Sequence, residues 1–195
     1  LCLTSTNPAS HSVSRSPLKP RPEAVLLVED AFAKALLEAV LARCAPDLHH
    51  HVLVQDVRGA DQVTAIASVL GPTHPGMRFL GVLDGDIRNN PKYQGPWLEY
   101  LPGNGDPEVL VMEALTADSK RAARGLNIAW EDLEHALSET EASDPHDQPK
   151  TVSESTGVPL SLLISYTAQW LVKVSPYQRD VRQLVRRLES LLAPE

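Results

Sequence analysis

The sequence predicts an α/β fold: a mainly parallel four-stranded sheet flanked by helices, continued by a C-terminal helical appendage. Three observations lead to it. Short apolar runs alternate with amphipathic stretches between residues 24 and 101, the pattern of βαβ units. Acidic residues close two of those runs, Glu29-Asp30 after Ala24–Val28 and Asp84-Gly85-Asp86 after Met77–Leu83. Beyond Asp106 the apolar residues recur at helical spacing.

Taken in order, Leu1–Thr4 reads as the end of a strand. Ser5–Pro22 reads as a connector, with Pro8, Pro17, Pro20 and Pro22. Ala24–Val28 is the first strand. A helix follows from Ala31 to about Cys44, striped by Phe32, Leu36, Leu37, Val40 and Leu41 and ended by Pro46. His51–Val57 is the second strand, with Gly59 in the turn after it. Asp61 caps a helix through Val63, Ile66, Ala67 and Leu70, which Gly71-Pro72 breaks. Met77–Leu83 is the third strand. Arg88–Pro96 carries Asn89-Asn90-Pro91 and Gly95-Pro96 and is a loop, and Trp97–Leu101 is a short fourth strand. Pro107-Glu108 opens a helix through Leu110, Val111, Met112 and Leu115, with proline at a favourable first-turn position. Another helical stretch runs from about Trp130 to Leu137, and the polar Glu139–Ser155 reads as a mobile loop. Two final helices cover about Pro159–Val172 and Pro176–Leu192, the last with Val181, Leu184, Val185, Leu188 and Leu192 on one face. The segments are therefore 1–22, a connector; 23–115, the α/β core; and 116–195, a helical extension.

Composition narrows the function. The chain has 195 residues, 43% of them apolar, enough for one domain with a core. Its net charge of −7 gives no overall attraction for nucleic acid, so a nucleic-acid role needs a local basic patch or metal ions. Two cysteines, Cys2 and Cys44, make neither a disulfide framework nor a zinc cluster and fit a reducing compartment. No apolar run is long enough to span a bilayer. The start at Leu1, without a signal-peptide pattern, predicts a piece of a longer protein.

The acidic strand ends carry the chemistry. In an open α/β sheet the crevice at the carboxyl ends of the strands is where ligands bind. Carboxylates gathered there repel one another unless a cation bridges them, and hard divalent cations such as magnesium take such oxygen ligands. Gly85 allows a sharp turn between the two aspartates. A plainer role exists for each group: Glu29-Asp30 suits a helix N-terminus, and one aspartate of Asp84-Gly85-Asp86 suits a turn. Two acidic strand ends together favour a ligand site.

A glutamate closing the first strand, followed by an Asp-x-Asp closing a later one, resembles a Toprim domain, the metal-binding fold of topoisomerases, primases and several nucleases. Leu26-Leu27-Val28-Glu29-Asp30, Leu83-Asp84-Gly85-Asp86, and Tyr100-Leu101-Pro102-Gly103 with Pro107-Glu108 resemble the OLD (overcoming lysogenization defect) family nucleases, in their class 2 form. The likeness covers about residues 23–115. It implies metal-dependent hydrolysis of DNA phosphodiester bonds with two Mg2+ or Mn2+ ions. Glu29, Asp84, Asp86 and the late Lys173 would be catalytic, and Glu29, Asp30, Asp84, Asp86 and Glu108 would hold metal. The acid that the family carries one helical turn after the glutamate is Ala33 here, so Asp30 or Glu108 must replace it. Leu1–Pro8 resembles the Thr-Ser-His-Ser-Pro stretch near the end of an ABC-type ATPase domain, which implies that residues 1–22 follow an ATPase domain of the same full-length chain. The chain itself has no Gly-x-x-x-x-Gly-Lys-Ser/Thr loop and hence no ATP site. A bacterial-type cytoplasmic location, no membrane partner and a homo-oligomeric full-length protein complete the expectation.

Other readings stay open. Val25–Asp30 also resembles the first strand of a response-regulator receiver domain, a phosphoacceptor switch. That reading makes Asp84 the acceptor, leaves Asp86 surplus, and needs a Lys-Pro pair at a fifth strand, whereas the only Lys-Pro is Lys19-Pro20. A Toprim module in a topoisomerase- or primase-type reaction, and a non-catalytic module degenerate at Ala33, are further alternatives. Arg179, Arg182, Arg186 and Arg187 form either a solvated helix face or a phosphate-tracking stripe. His49-His50-His51 reads as exposed extended backbone, whose side chains cannot all face one ion.

Overall fold

Strand β1 (Ala24–Val28) is buried at all five positions, as a continuous apolar run in the middle of a parallel sheet must be. The computed structural model of the chain describes residues 21–73 and 76–193, and the expected strand at Leu1–Thr4 and most of the connector lie outside them. β1 pairs in parallel with β2 (Val52–Asp56) on one side and β3 (Arg78–Leu83) on the other, with Leu26 opposite Val54 and Leu80. β4 (Leu98–Tyr100) adds in parallel to β3, so the sheet has four strands in the order β2-β1-β3-β4. The expected mainly parallel sheet is wholly parallel. Its strands are slightly shorter than the apolar runs suggested: Met77, Trp97 and Leu101 lie just outside them, although the Trp97 carbonyl accepts from the Gly81 N–H at 2.9 Å and the Leu101 N–H donates to the Leu83 carbonyl at 2.7 Å.

Side-chain alternation along β1 sorts the core into two layers. Ala24, Leu26 and Val28 face helix α1 (Ala31–Cys44) and the last helix, while Val25 and Leu27 face helix α3 (Ala60–Thr73). At Gly81 of β3 a Cβ would stand 2.7 Å from both Val63 of α3 and Leu98 of β4, so the absence of a side chain lets α3 lie close to the sheet. Pro72 does not break α3 as expected; it falls in the last turn, where one lost hydrogen bond is tolerated.

Between α1 and β2 the three histidines are not extended. Pro46 starts a short helix, α2 (Pro46–His51), as its first residue, a position where proline's missing N–H costs nothing. His51 then pairs with Glu23 at 2.7 Å.

After β4 the chain is helical: α4 (Pro107–Thr116), α5 (Ser119–Leu126), α6 (Trp130–Glu139), α7 (Gln148–Thr156), α8 (Leu160–Lys173) and α9 (Gln178–Leu192). No apolar stripe in the sequence predicts α5, and the stretch that holds α7 reads as loop. Each buries too little to show a periodic stripe: Ala122 and Ala123 in α5, Pro149 and Val152 in α7. These helices share one core with α1, whose Leu36 and Val40 face them while its Ala33, Leu37 and Leu41 face the sheet. Leu184, Leu188 and Leu191 of α9 pack on the same side of the sheet.

Arg88 fixes the loops beyond the strand ends. Its Nη2 donates to the carbonyls of Leu101 at 2.8 Å and Gly103 at 3.1 Å, and Asp180 of α9 stands 3.4 Å away. The Asp180 carboxylate also accepts from the Gly103 N–H. Overfilling the α3 contact tests this packing. Gly81→Val should destabilise the chain by about 1–3 kcal/mol through overpacking, lowering the melting temperature by roughly 2–4 °C per kcal/mol in a chain of this size. An unchanged melting curve would mean that α3 does not lie this close.

Candidate metal centre

The site begins where the parallel strands end. Because β1, β2 and β3 run the same way, the residues at their carboxyl ends meet on one edge: Glu29 after β1, Asp56 at the end of β2, Asp84 after β3. They line a cavity of about 520 Å³ together with Asp30, Asp86 and Asp106. Arg58 and His146 complete its polar wall.

Each acid is placed by a local cause. Glu29 accepts a hydrogen bond from the Asp84 N–H at 3.0 Å, which ties the ends of β1 and β3 together. A second hydrogen bond to Glu29 comes from the N–H of Ala60 at the start of α3. Asp30 caps α1, with Oδ1 accepting from the Ala33 N–H at 2.8 Å, so the plainer role for this residue is real, yet its carboxylate still lines the cavity. The chain turns sharply after Gly85, whose carbonyl accepts from the Arg88 N–H at 3.3 Å, and it does so without a left-handed φ at the glycine. It is needed for close approach: a Cβ there would stand 2.5 Å from the Gly103 carbonyl. Asp106 stands at the N-cap position of α4 with extended backbone, and its side chain makes no capping hydrogen bond.

The electrostatics are those of a site short of positive charge. Burial and then the charges of Glu29, Asp30, Asp106 and Asp86 push the Asp84 carboxyl up to about 8. One Asp84 oxygen, Oδ1, is buried without a hydrogen-bond partner. Glu29 is raised first by burial, against its hydrogen bond from Asp84, and then by Asp86 and Asp30. Asp106 is raised by burial and by Asp86, with His146 opposing.

The donor set fits a hard divalent cation: carboxylate oxygens, no thiolate, and an unpartnered buried oxygen at its centre. Among the described residues no three of these groups stand close enough to hold an ion as they are.

The expected site residues divide accordingly. Glu29, Asp30, Asp84 and Asp86 line one cavity. Glu108 is buried and off the cavity wall; it faces His146 Nδ1 at 3.8 Å, and burial raises its pKa. Lys173 ends α8 exposed and is not among the residues lining the cavity. Ala33 is fully buried against the sheet, so no side chain reaches the cavity from one turn after Glu29. Asp106, Asp56, Arg58 and His146 were missed. Asp106 had a signal, since it precedes Pro107 at a helix start just past a strand end. His146 had none, because only the tertiary fold brings the segment between α6 and α7 over the strand ends, where its Nε2 lies 3.8 Å from Asp106.

No family model matches the chain, and no curated protein matches it. Among solved structures, it is similar to the C-terminal region of the Burkholderia pseudomallei OLD protein, at 13% identity and a TM-score of 0.47, over 85% of this chain and 97% of that one. It is also similar to the C-terminal region of the Xanthomonas campestris pv. campestris OLD protein, at 15% identity and a TM-score of 0.48, over 87% and 93%. At these values no residue role passes from those proteins to this one.

The raised Asp84 carboxyl makes stability depend on pH. The folded chain holds at about 8 a proton that the unfolded chain gives up near 3.8. Asp84's contribution to stability is therefore fully present below pH 3.8 and is lost as pH rises through about 8. In EDTA the melting temperature should fall across that window. Asp84→Asn should flatten the fall and melt higher at pH 8, by a shift on the order of 2–4 °C, which corresponds to about 1 kcal/mol. A variant that melts lower than the parent at pH 8 would contradict the repulsion.

Proposed function

We propose that this chain is the catalytic portion of an OLD-type, ATPase-linked nuclease that hydrolyses DNA phosphodiester bonds with two magnesium or manganese ions. One observation carries the reading: six carboxylates face one cavity at the carboxyl edge of a parallel sheet, centred on Asp84, whose Oδ1 is buried and unpartnered. The sequence order of Glu29 and Asp84-Gly85-Asp86, which resembles that of OLD nucleases, supports it. Glu29, Asp84 and Asp86 would hold the ions, with Asp30 and Asp106 completing the oxygen set and Glu108 acting through His146. Bound there, the ions would supply Lewis acidity and a water activated at neutral pH.

The protein's own part is to orient and exclude. The N–H groups of Asp84 and Ala60 hold the Glu29 carboxylate in place. The Arg88 contacts to Leu101 and Gly103 keep the loops fixed beside the Gly85 turn. Burial around Asp84 keeps water from the inner wall, which strengthens every charge interaction there. With a net charge of −7, cations at the site would favour the approach of DNA. The piece would work beside an ATPase domain of the same full-length chain, in a bacterial-type cytoplasm. No helix among the described residues is long and apolar enough to cross a membrane.

The receiver reading gains nothing from the structure. Among the described residues the sheet has no fifth strand, and no lysine lines the cavity. Plasmid cleavage separates the two. The chain should cut supercoiled plasmid with Mg2+ or Mn2+ and not in EDTA. Asp84→Ala and Asp86→Ala should each lower the rate by about a hundredfold or more, the order that loss of one charge-stabilising group costs. Cleavage at the parent rate by the double variant would overturn the assignment, as would a stable acyl phosphate on Asp84 after exposure to acetyl phosphate.

A further inference from the structure

Arg58 is the permanent cation among the described residues that line the acidic cavity. It stands between the end of β2 and the start of α3, two residues after Asp56, and is exposed. Two features separate it from an ordinary surface arginine. Its backbone has φ +66°, in the left-handed region that an arginine adopts only at a cost. Gly59, next in the chain, has φ +105°, and its N–H donates to the Glu29 carbonyl at 2.9 Å, so the turn is locked to the end of β1 beside the first metal-candidate carboxylate. The side chain also makes no ion pair with any described carboxylate, although six line the same cavity. An arginine present to neutralise those acids would sit against one of them.

The other cations nearby are committed or distant. Arg88 is taken up by Leu101, Gly103 and Asp180. Lys173 does not line the cavity. Asn or Gly would occupy a left-handed turn position at less cost than arginine, so the strained residue points to a use for its charge.

Resting on the nuclease reading above, we propose that Arg58 is a phosphate-binding residue that holds a backbone phosphodiester of the nucleic-acid strand at the mouth of the carboxylate cavity. Its guanidinium presents paired N–H donors that match the non-bridging oxygens of a phosphate. The locked Arg58-Gly59 turn would set that fork next to the carboxylates without its collapsing onto them.

The test compares three variants of the full chain, Arg58→Gln, Arg58→Gly and Arg58→Lys, by equilibrium binding of a 5′-labelled DNA oligonucleotide in Ca2+ at two salt concentrations. Single-turnover plasmid cleavage in Mg2+ is measured beside it. Gly removes the charge and relieves the backbone, Gln removes the charge alone, and Lys keeps it. Gln and Gly should both weaken binding by about tenfold, as expected for a lost hydrogen bond to a charged group. They should reduce the slope of log affinity against log salt by about 1. Lys keeps the charge and so should keep the parent's salt slope, with an affinity between those of Gln and the parent because it lacks the paired donors. A purely structural role would instead let Gly bind like the parent, with Lys no better than Gln. Parent-like binding by Gln and Gly, in a chain whose parent form cleaves plasmid, overturns the Arg58 assignment and leaves the nuclease reading standing. A parent chain that neither binds nor cleaves overturns both.

Discussion

Repulsion among carboxylates at the carboxyl edge of the sheet is the constraint to which the rest of the molecule answers. Parallel strands force Glu29, Asp56 and Asp84 onto one side, and burial around Asp84 removes the water that would screen them. Folding holds this arrangement against its own electrostatics. Hydrophobic packing supplies the opposing free energy: a fully apolar β1, α3 pressed onto Gly81, and α1 packed on the sheet by one face and on the C-terminal helices by the other. A bound divalent cation would relieve that repulsion.

The helical extension contributes to the site as well as to the core. α9 reaches back through Asp180 to Gly103 and Arg88, and so braces the loop against which Gly85 packs. The segment between α6 and α7 lays His146 over Asp106 and Glu108. The strand ends of the sheet therefore have walls on two sides that the α/β core alone would lack. This explains how an exposed residue, Asp86, and a largely enclosed one, Asp84, can serve one cavity.

Much of this was legible in the sequence because short-range physics determined it. The apolar runs at Ala24–Val28 and Met77–Leu83 placed two of the strands, and the acids after them placed the heart of the site. Pro107 gave the start of α4. What stayed hidden depended on distance or on faint patterns. α5 and α7 bury small residues, so no stripe marked them. Pro46 marks the end of α1, as read, but also opens α2, and Pro72, read as a breaker, sits in the last turn of α3 where a helix tolerates it. The turn at Gly85 was legible, but the reason it must be glycine, the carbonyl of Gly103 eighteen residues on, was not. Asp106 lines the cavity and Glu108, two residues on, does not, a difference no spacing rule resolves, and the reach of His146 came from the tertiary fold alone.

The proposed chemistry requires that the carboxylate cavity bind divalent cations. Titration calorimetry of Mn2+ into the metal-free full chain, with melting temperature followed alongside, tests it most directly. The account predicts saturable binding of two ions and a rise in melting temperature, both lost in the combined Asp84→Ala, Asp86→Ala variant. A flat titration with an unchanged melting temperature would contradict it, as would equal binding by that variant.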